Sequence, residues 1–117
     1  MTNIYEAIKS LKADAEFVMS GEPSTKSEYE RDVKFVSGTD ENGELIFKET
    51  QDFTWEEVSA KKTELQTQYD NNEYQRDRAV AYPSIQDQLD MQYWDNVNGT
   101  TNWKDAIAKV KSDNPKP

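Results

Sequence analysis

Lys34-Phe35-Val36, Gly38-Thr39-Asp40-Glu41-Asn42-Gly43, Leu45-Ile46-Phe47 and, a few residues on, Thr54-Trp55-Glu56-Glu57 decide the fold. Two short β-prone runs around an Asn-Gly turn read as a hairpin, because Asn and Gly accept the positive φ that tight turns require. Thr54, answered three residues later by Glu57, is a capping box and starts a helix. A strand pair running into a helix places the chain in the α+β class. Apolar residues fall on both faces of each run, so at least one face needs cover from a helix or a partner. Two strands alone are marginal in water. That makes Ala15-Glu16-Phe17-Val18-Met19 the candidate third strand of a short antiparallel sheet.

Outward from this stretch, no Gly or Pro follows Thr54 until Pro83. The spacing predicts one helix across 53–82 of about 26 residues, some 40 Å long. Trp55, Val58, Leu65 and Tyr69 form its thin apolar seam, interrupted by Lys62 and Asn72. Its middle is too polar for a core, so it is either solvated or lies along another chain. Toward the N-terminus, Ile4, Ala7, Ile8 and Leu11 recur at helical spacing within residues 3–13, with Asn3 as cap and Glu6 completing a capping box. Glu28 to Val33 predicts one or two further helical turns.

Pro83 disfavours helical geometry at Tyr82 and so ends the long helix. Ser84 caps a next helix carrying Ile85, Leu89 and Tyr93, with Met91 and Trp94 to one side. Asn98-Gly99-Thr100 matches a glycosylation sequon but reads as a turn. Asn102 and Asp105 suggest the capped start of a last helix with Trp103, Ala106, Ile107 and Val110 on one face. The expected packing sets Ile85, Leu89 and Tyr93 against Trp103, Ile107 and Val110. The organisation is a small α/β module at 1–52, a connecting helix at 53–82 and a two-helix module at 83–117.

Composition narrows the chemistry. Of 117 residues, 34% are hydrophobic and 32% charged, with 23 acids against 14 bases and a net charge of −9. Such a surface is a poor match for nucleic acid, which needs clustered Lys and Arg. No apolar run approaches the roughly 20 residues that cross a bilayer, so no membrane partner is expected. Neither a basic n-region nor an apolar h-region opens the chain, which predicts a cytoplasmic start. With no Cys and no His, disulfides, thiol nucleophiles, Ser-His-Asp catalysis and the usual zinc sites are excluded.

Asp87 and Asp90, with Asp95 nearby, are the carboxylates an acid–base enzyme would use. They sit on a helix without an oxygen-rich loop, so a solvated face is the better reading. Asp40 to Glu44 lacks the spacing of a calcium loop and reads as the hairpin turn. No catalytic residue, metal or cofactor is therefore expected. Trp and Tyr exceed what two short helices can bury, and such rings anchor interfaces. The candidate partner-binding residues are Trp55, Tyr69, Tyr74, Arg76, Arg78, Tyr82, Trp94 and Trp103. Arg76 and Arg78 either grip a partner's carboxylate or tie the long helix to Gln88 or Asp90.

The run Tyr74-x-Arg76-x-Arg78-x-x-x-Tyr82-Pro83-Ser84-Ile85-x-x-Gln88-Leu89-Asp90-x-x-Tyr93 continues through Trp103, Ile107, Val110-Lys111 and Asn114-Pro115-Lys116-Pro117. It resembles a C-terminal module of small tail-region proteins in tailed bacteriophages of the marine and cyanobacterial type. The resemblance covers residues 74–117. Ile4 to Ile8 and Pro23-Ser24-Thr25 look more loosely like other short phage tail proteins, which carry a Pro-Thr helix start here. The resemblance implies a non-enzymatic virion component that binds other tail or tail-fibre chains, located in the host cytoplasm during assembly and then in the tail. The alternative is a tail-fibre assembly chaperone absent from the mature virion. Homo-oligomerisation stays open, and a carboxylate enzyme is the least favoured reading.

Overall fold

Residues 2–117 are described in the structure, a computed structural model. The architecture is α+β, with a small antiparallel sheet among helices. Elements run α1 (Ile4–Leu11), β1 (Phe17–Met19), α2 (Lys26–Asp32), β2 (Val33–Thr39), β3 (Leu45–Phe47), α3 (Trp55–Asn71), α4 (Glu73–Ala81), α5 (Ile85–Asn98) and α6 (Asn102–Asp113). The chain divides into two compact units, Met1–Tyr69 and Asp70–Pro117.

In the first unit Asn3 caps α1 as expected, its side chain accepting the Glu6 N–H at 2.8 Å. Helix α1 buries Ile4, Ala7 and Ile8. Thr25 caps α2 by accepting the Glu28 N–H. The Glu28 carboxylate in turn accepts the Ser24 N–H at 2.7 Å and the Ser24 hydroxyl at 2.9 Å. Those bonds hold its carboxyl below the ordinary value. The third strand forms where residues 15–19 suggested it. Strand order is β1-β2-β3, all antiparallel.

Phe17 pairs with Phe35 and Met19 with Val33. Tyr29, Val33, Phe35 and Val58 close the core beside α1. Burying each such side chain contributes about 1.5–3 kcal/mol. Glu22 links two helices, accepting from the Ile4 N–H at 2.9 Å and from the Lys62 ammonium at 3.1 Å.

The hairpin turn is built on Asp40, whose carboxylate accepts the Asn42 and Glu44 N–H groups at 2.8 and 2.9 Å. Gly43 supplies the positive φ of 80° that the turn demands. A bulge between Val36 and Gly38 shifts the β2–β3 register. Thr54 caps α3 by accepting the Glu57 N–H at 3.1 Å, and its hydroxyl meets the Glu57 carboxylate at 3.2 Å. Helical structure then extends to Ala81, broken at the single residue Asn72, whose φ of −95° and ψ of 1° leave the helix.

In the second unit Ser84 caps α5 by accepting the Asp87 N–H at 3.1 Å. Gly99 ends it with φ 65° in the left-handed region. The start of α6 departs from expectation, because Asn102 is already helical and makes no cap. Asp95, at the end of α5, does that work. Its carboxylate accepts the Asn102 N–H at 2.9 Å and the Trp103 N–H at 2.8 Å, two of the orphan donors of the first turn.

Candidate partner-binding surface

The expected inward placement of Ile85, Leu89 and Tyr93 on α5 is overturned. Ile85, Leu89 and Tyr93 are 71%, 59% and 60% exposed instead of packing on Trp103, Ile107 and Val110. Gln88, Met91 and Asp95 are the partly covered residues of α5. Polar geometry explains the choice. The Gln88 amide donates to the Pro83 carbonyl at 2.8 Å and its oxygen accepts the Trp103 indole N–H at 3.1 Å. Asp95 meanwhile caps α6. Both residues must sit inward to make these bonds, and Met91 shares their face at helical spacing.

The other side of α5 is thereby left open. Ile85, Leu89, Tyr93 and Val97 follow at intervals of four, each step advancing about 40° around the helix, so the stripe winds across the outer face. The Trp94 ring stands edge-on to Tyr93 with centroids 5.1 Å apart. These five residues are each more than half exposed, the kind of apolar patch that marks an interaction site. Asp87 and Asp90 are the exposed charges of α5, both acidic, whereas Asp95 turns inward to cap α6.

Among the described residues of α4, α5 and α6, none is fully buried. Order in the second unit rests on half-buried contacts and polar ties worth about 0.5–1.5 kcal/mol each. Arg78 makes one such tie, and it is not to Gln88 or Asp90. Its Nε donates to the Asn114 carbonyl at 2.9 Å and an Nη to the Lys111 carbonyl at 3.3 Å, placing a cation on the carbonyl end of α6. The same guanidinium lies 4.9 Å from the centre of the Tyr74 ring.

Of the sequence-derived candidates, Tyr74, Arg76, Arg78, Tyr82 and Trp103 are half-buried in the second unit, and Trp94 is exposed. Tyr69 is exposed at the end of the first unit. Trp55 is half-buried in the first unit, 5.8 Å from the Tyr29 ring. It lines a cleft of about 430 Å³ together with Lys34, Lys48 and Gln51. Those side chains are already engaged: Lys34 donates to the Glu30 carbonyl at 2.7 Å, Lys48 to Asp52 at 2.8 Å and the Gln51 amide to the Val33 carbonyl at 2.9 Å.

Sequence reasoning missed Ile85, Leu89, Tyr93 and Val97 as surface. The available signal was the trio Gln88, Met91 and Asp95 on the opposite side, rich in groups able to bond a neighbouring helix end. No group of three or more His, Cys, Asp or Glu able to hold a metal occurs among the described residues. No helix among them is long and apolar enough to cross a membrane. No protein-family model, no curated protein and no solved structure matches the chain.

Proposed function

We propose that the chain is a non-enzymatic binding protein whose α5 face lodges on another polypeptide. Following the resemblance of residues 74–117, we take its partners to be tail or tail-fibre proteins of a tailed phage, with the chain a component of the virion. The observation that carries the binding role is the uncovered stripe of Ile85, Leu89, Tyr93 and Val97 beside Trp94. The inward hydrogen bonds of Gln88 and Asp95 leave this face outward, and an open apolar patch of this kind marks an interaction site. The acidic rim specifies the partner's chemistry: an amphipathic surface, best supplied by a helix, flanked by Lys or Arg.

The test is titration of purified tail and tail-fibre proteins against the wild-type chain and a Leu89→Ser/Tyr93→Ser variant. Loss of two anchors is expected to weaken binding by about 100-fold or more. Because both side chains are more than half exposed, the melting temperature is expected to fall only slightly and the fold to be kept. Equal affinity of the two proteins refutes the α5 face as the site, and absence of binding to any tail protein refutes the phage assignment. Mass spectrometry of mature particles then separates the roles. A component is retained in the virion, whereas a chaperone binds in solution and is absent from particles.

A further inference from the structure

We propose that β3 is a self-pairing edge, through which two copies of the chain join antiparallel about a twofold axis at Ile46. The inference is independent of the α5 face. In the strand order β1-β2-β3, β3 is an edge. Leu45, Ile46 and Phe47 are 49%, 46% and 44% exposed, so apolar side chains stand open on both faces of the strand. Proline is one of the devices that blunt such an edge and none is present here; β3 is short, at three residues beside a bulge, but its apolar side chains stay open.

The backbone fixes which groups are available. The Glu44 carbonyl accepts from the Asp40 N–H at 2.8 Å, the Ile46 carbonyl from the Ser37 hydroxyl at 3.1 Å, and the Lys48 N–H donates to the Phe35 carbonyl at 2.8 Å. Residues 44, 46 and 48 therefore turn their polar groups toward β2. By strand alternation, the N–H and C=O of Leu45 and Phe47 point to the open side. A twofold axis at Ile46 sets Leu45 of one copy opposite Phe47 of the second. That is a hydrogen-bonded pair, formed twice, and it satisfies every outward group of both strands.

The side chains agree with this register. Glu44 comes opposite Lys48 of the second copy, and Lys48 opposite its Glu44. Leu45 meets Phe47 on one face, and Ile46 meets its own copy on the other. Moving the axis to Leu45 opposes Glu44 to Ile46, and moving it to Phe47 opposes Lys48 to Ile46. Each sets a charge against an apolar side chain, so only the Ile46 axis pairs like with like. Lys48 already holds Asp52 at 2.8 Å. That contact is partly exposed, and an ammonium has three donors, so it accommodates a second carboxylate. The product is a closed, isologous dimer with one continuous sheet, built by joining two three-stranded sheets edge to edge. It carries two α5 faces per assembly, which raises avidity for a repetitive partner.

Sedimentation equilibrium of the full chain across a concentration series tests the pairing. The expected species at high concentration is a dimer of twice the 13.5 kDa chain mass. Phe47→Pro removes an outward N–H while leaving both bonds to β2, and is expected to keep the circular dichroism and lose at least about tenfold in association. Glu44→Lys alone and Lys48→Glu alone each face like charges across the axis and are expected to be monomeric. An equimolar mixture of these two variants is expected to recover the dimer, because each then meets its opposite. Leu89→Ser is expected to leave dimerisation intact. Overturning results are a monomeric wild type at every concentration, dimers in both single charge variants, a mixture that does not pair, or a dimer abolished by Leu89→Ser.

Discussion

Tyr29→Phe isolates one buried hydrogen bond on which the first unit depends. The Tyr29 ring is fully enclosed in the core, and its hydroxyl donates to the Phe53 carbonyl at 2.7 Å. The phenylalanine ring fills the same space, so no cavity forms and the loss is the bond itself. The Phe53 carbonyl is left without its donor, at a cost of about 1–2 kcal/mol. For a unit of this size that is a fall of roughly 4–16 °C in melting temperature, read by far-ultraviolet circular dichroism at neutral pH.

A second measurement uses the same group. Burial pushes the phenol well above its ordinary value of 10.0, and the negative charges of Asp52 and Glu57 add to the shift. A pKa raised on folding means the protonated form is the one the fold favours. The stability it contributes is complete below pH 10 and is lost as pH rises toward the folded value. The wild type is therefore expected to show a late phenolate absorbance step that coincides with alkaline unfolding, and Tyr29→Phe to lack that step. An unchanged melting temperature together with an unchanged alkaline titration refutes the reasoning.

Three further outcomes follow from the geometry. Asp95→Asn is expected to lower the melting temperature of the second unit. It leaves the Asn102 and Trp103 N–H groups on a neutral oxygen, and the variant's helical signal is expected to be less acid-sensitive than that of the wild type. Bonds from the Thr100 hydroxyl and the Trp103 N–H hold the Asp95 carboxyl below its ordinary 3.8, so its stabilisation is present at neutral pH and is lost as pH falls from that value through the lowered one. Gly99→Ala is expected to cost about 1 kcal/mol through backbone strain at φ 65°, read by urea titration. No neighbouring atom lies within 4 Å of the added methyl, so a much larger loss would point to a clash the geometry lacks. Phe35→Ala is expected to cost about 3–5 kcal/mol, because its ring is buried between Phe17 and Phe53 at centroid distances of 5.8 and 6.1 Å.

The fold was legible where local chemistry decides it. Asn3, Thr54 and Ser84 each cap the helix that their position announced, and Asn42-Gly43 and Asn98-Gly99 make the turns that glycine at positive φ allows. The third strand followed from the instability of a lone hairpin. Legibility ended where side chains from distant positions compete. Periodicity ranked Ile85, Leu89 and Tyr93 as the inward face of α5, because apolar spacing is the usual marker of a core. It carried no information that Gln88 would find both the Pro83 carbonyl and the Trp103 indole, or that Asp95 would cap the next helix. Arg78 makes neither the Gln88 nor the Asp90 tie for a related reason. Its true acceptors are backbone carbonyls of Lys111 and Asn114, and every residue has a carbonyl, so sequence cannot single out those two.

The two units solve different problems. The first collects all the fully buried apolar side chains among the described residues and leaves its edge strand bare. The second has no such core and is ordered by Asp95, Gln88 and Arg78, directional contacts that consume little apolar surface. An arrangement of that kind keeps Ile85, Leu89, Tyr93 and Val97 available without unfolding the helix that carries them. The cost of exposure is solubility, and charge answers it. A second α5 laid on the first would bring Asp87 and Asp90 near the same acids, with no base on either helix to offset them. The stripe is thus unfit for its own copy and fit for a basic partner, whereas β3, with Glu44 and Lys48 at its two ends, is fit for its own copy. Charge pattern is the reason we propose different occupants for these two apolar surfaces.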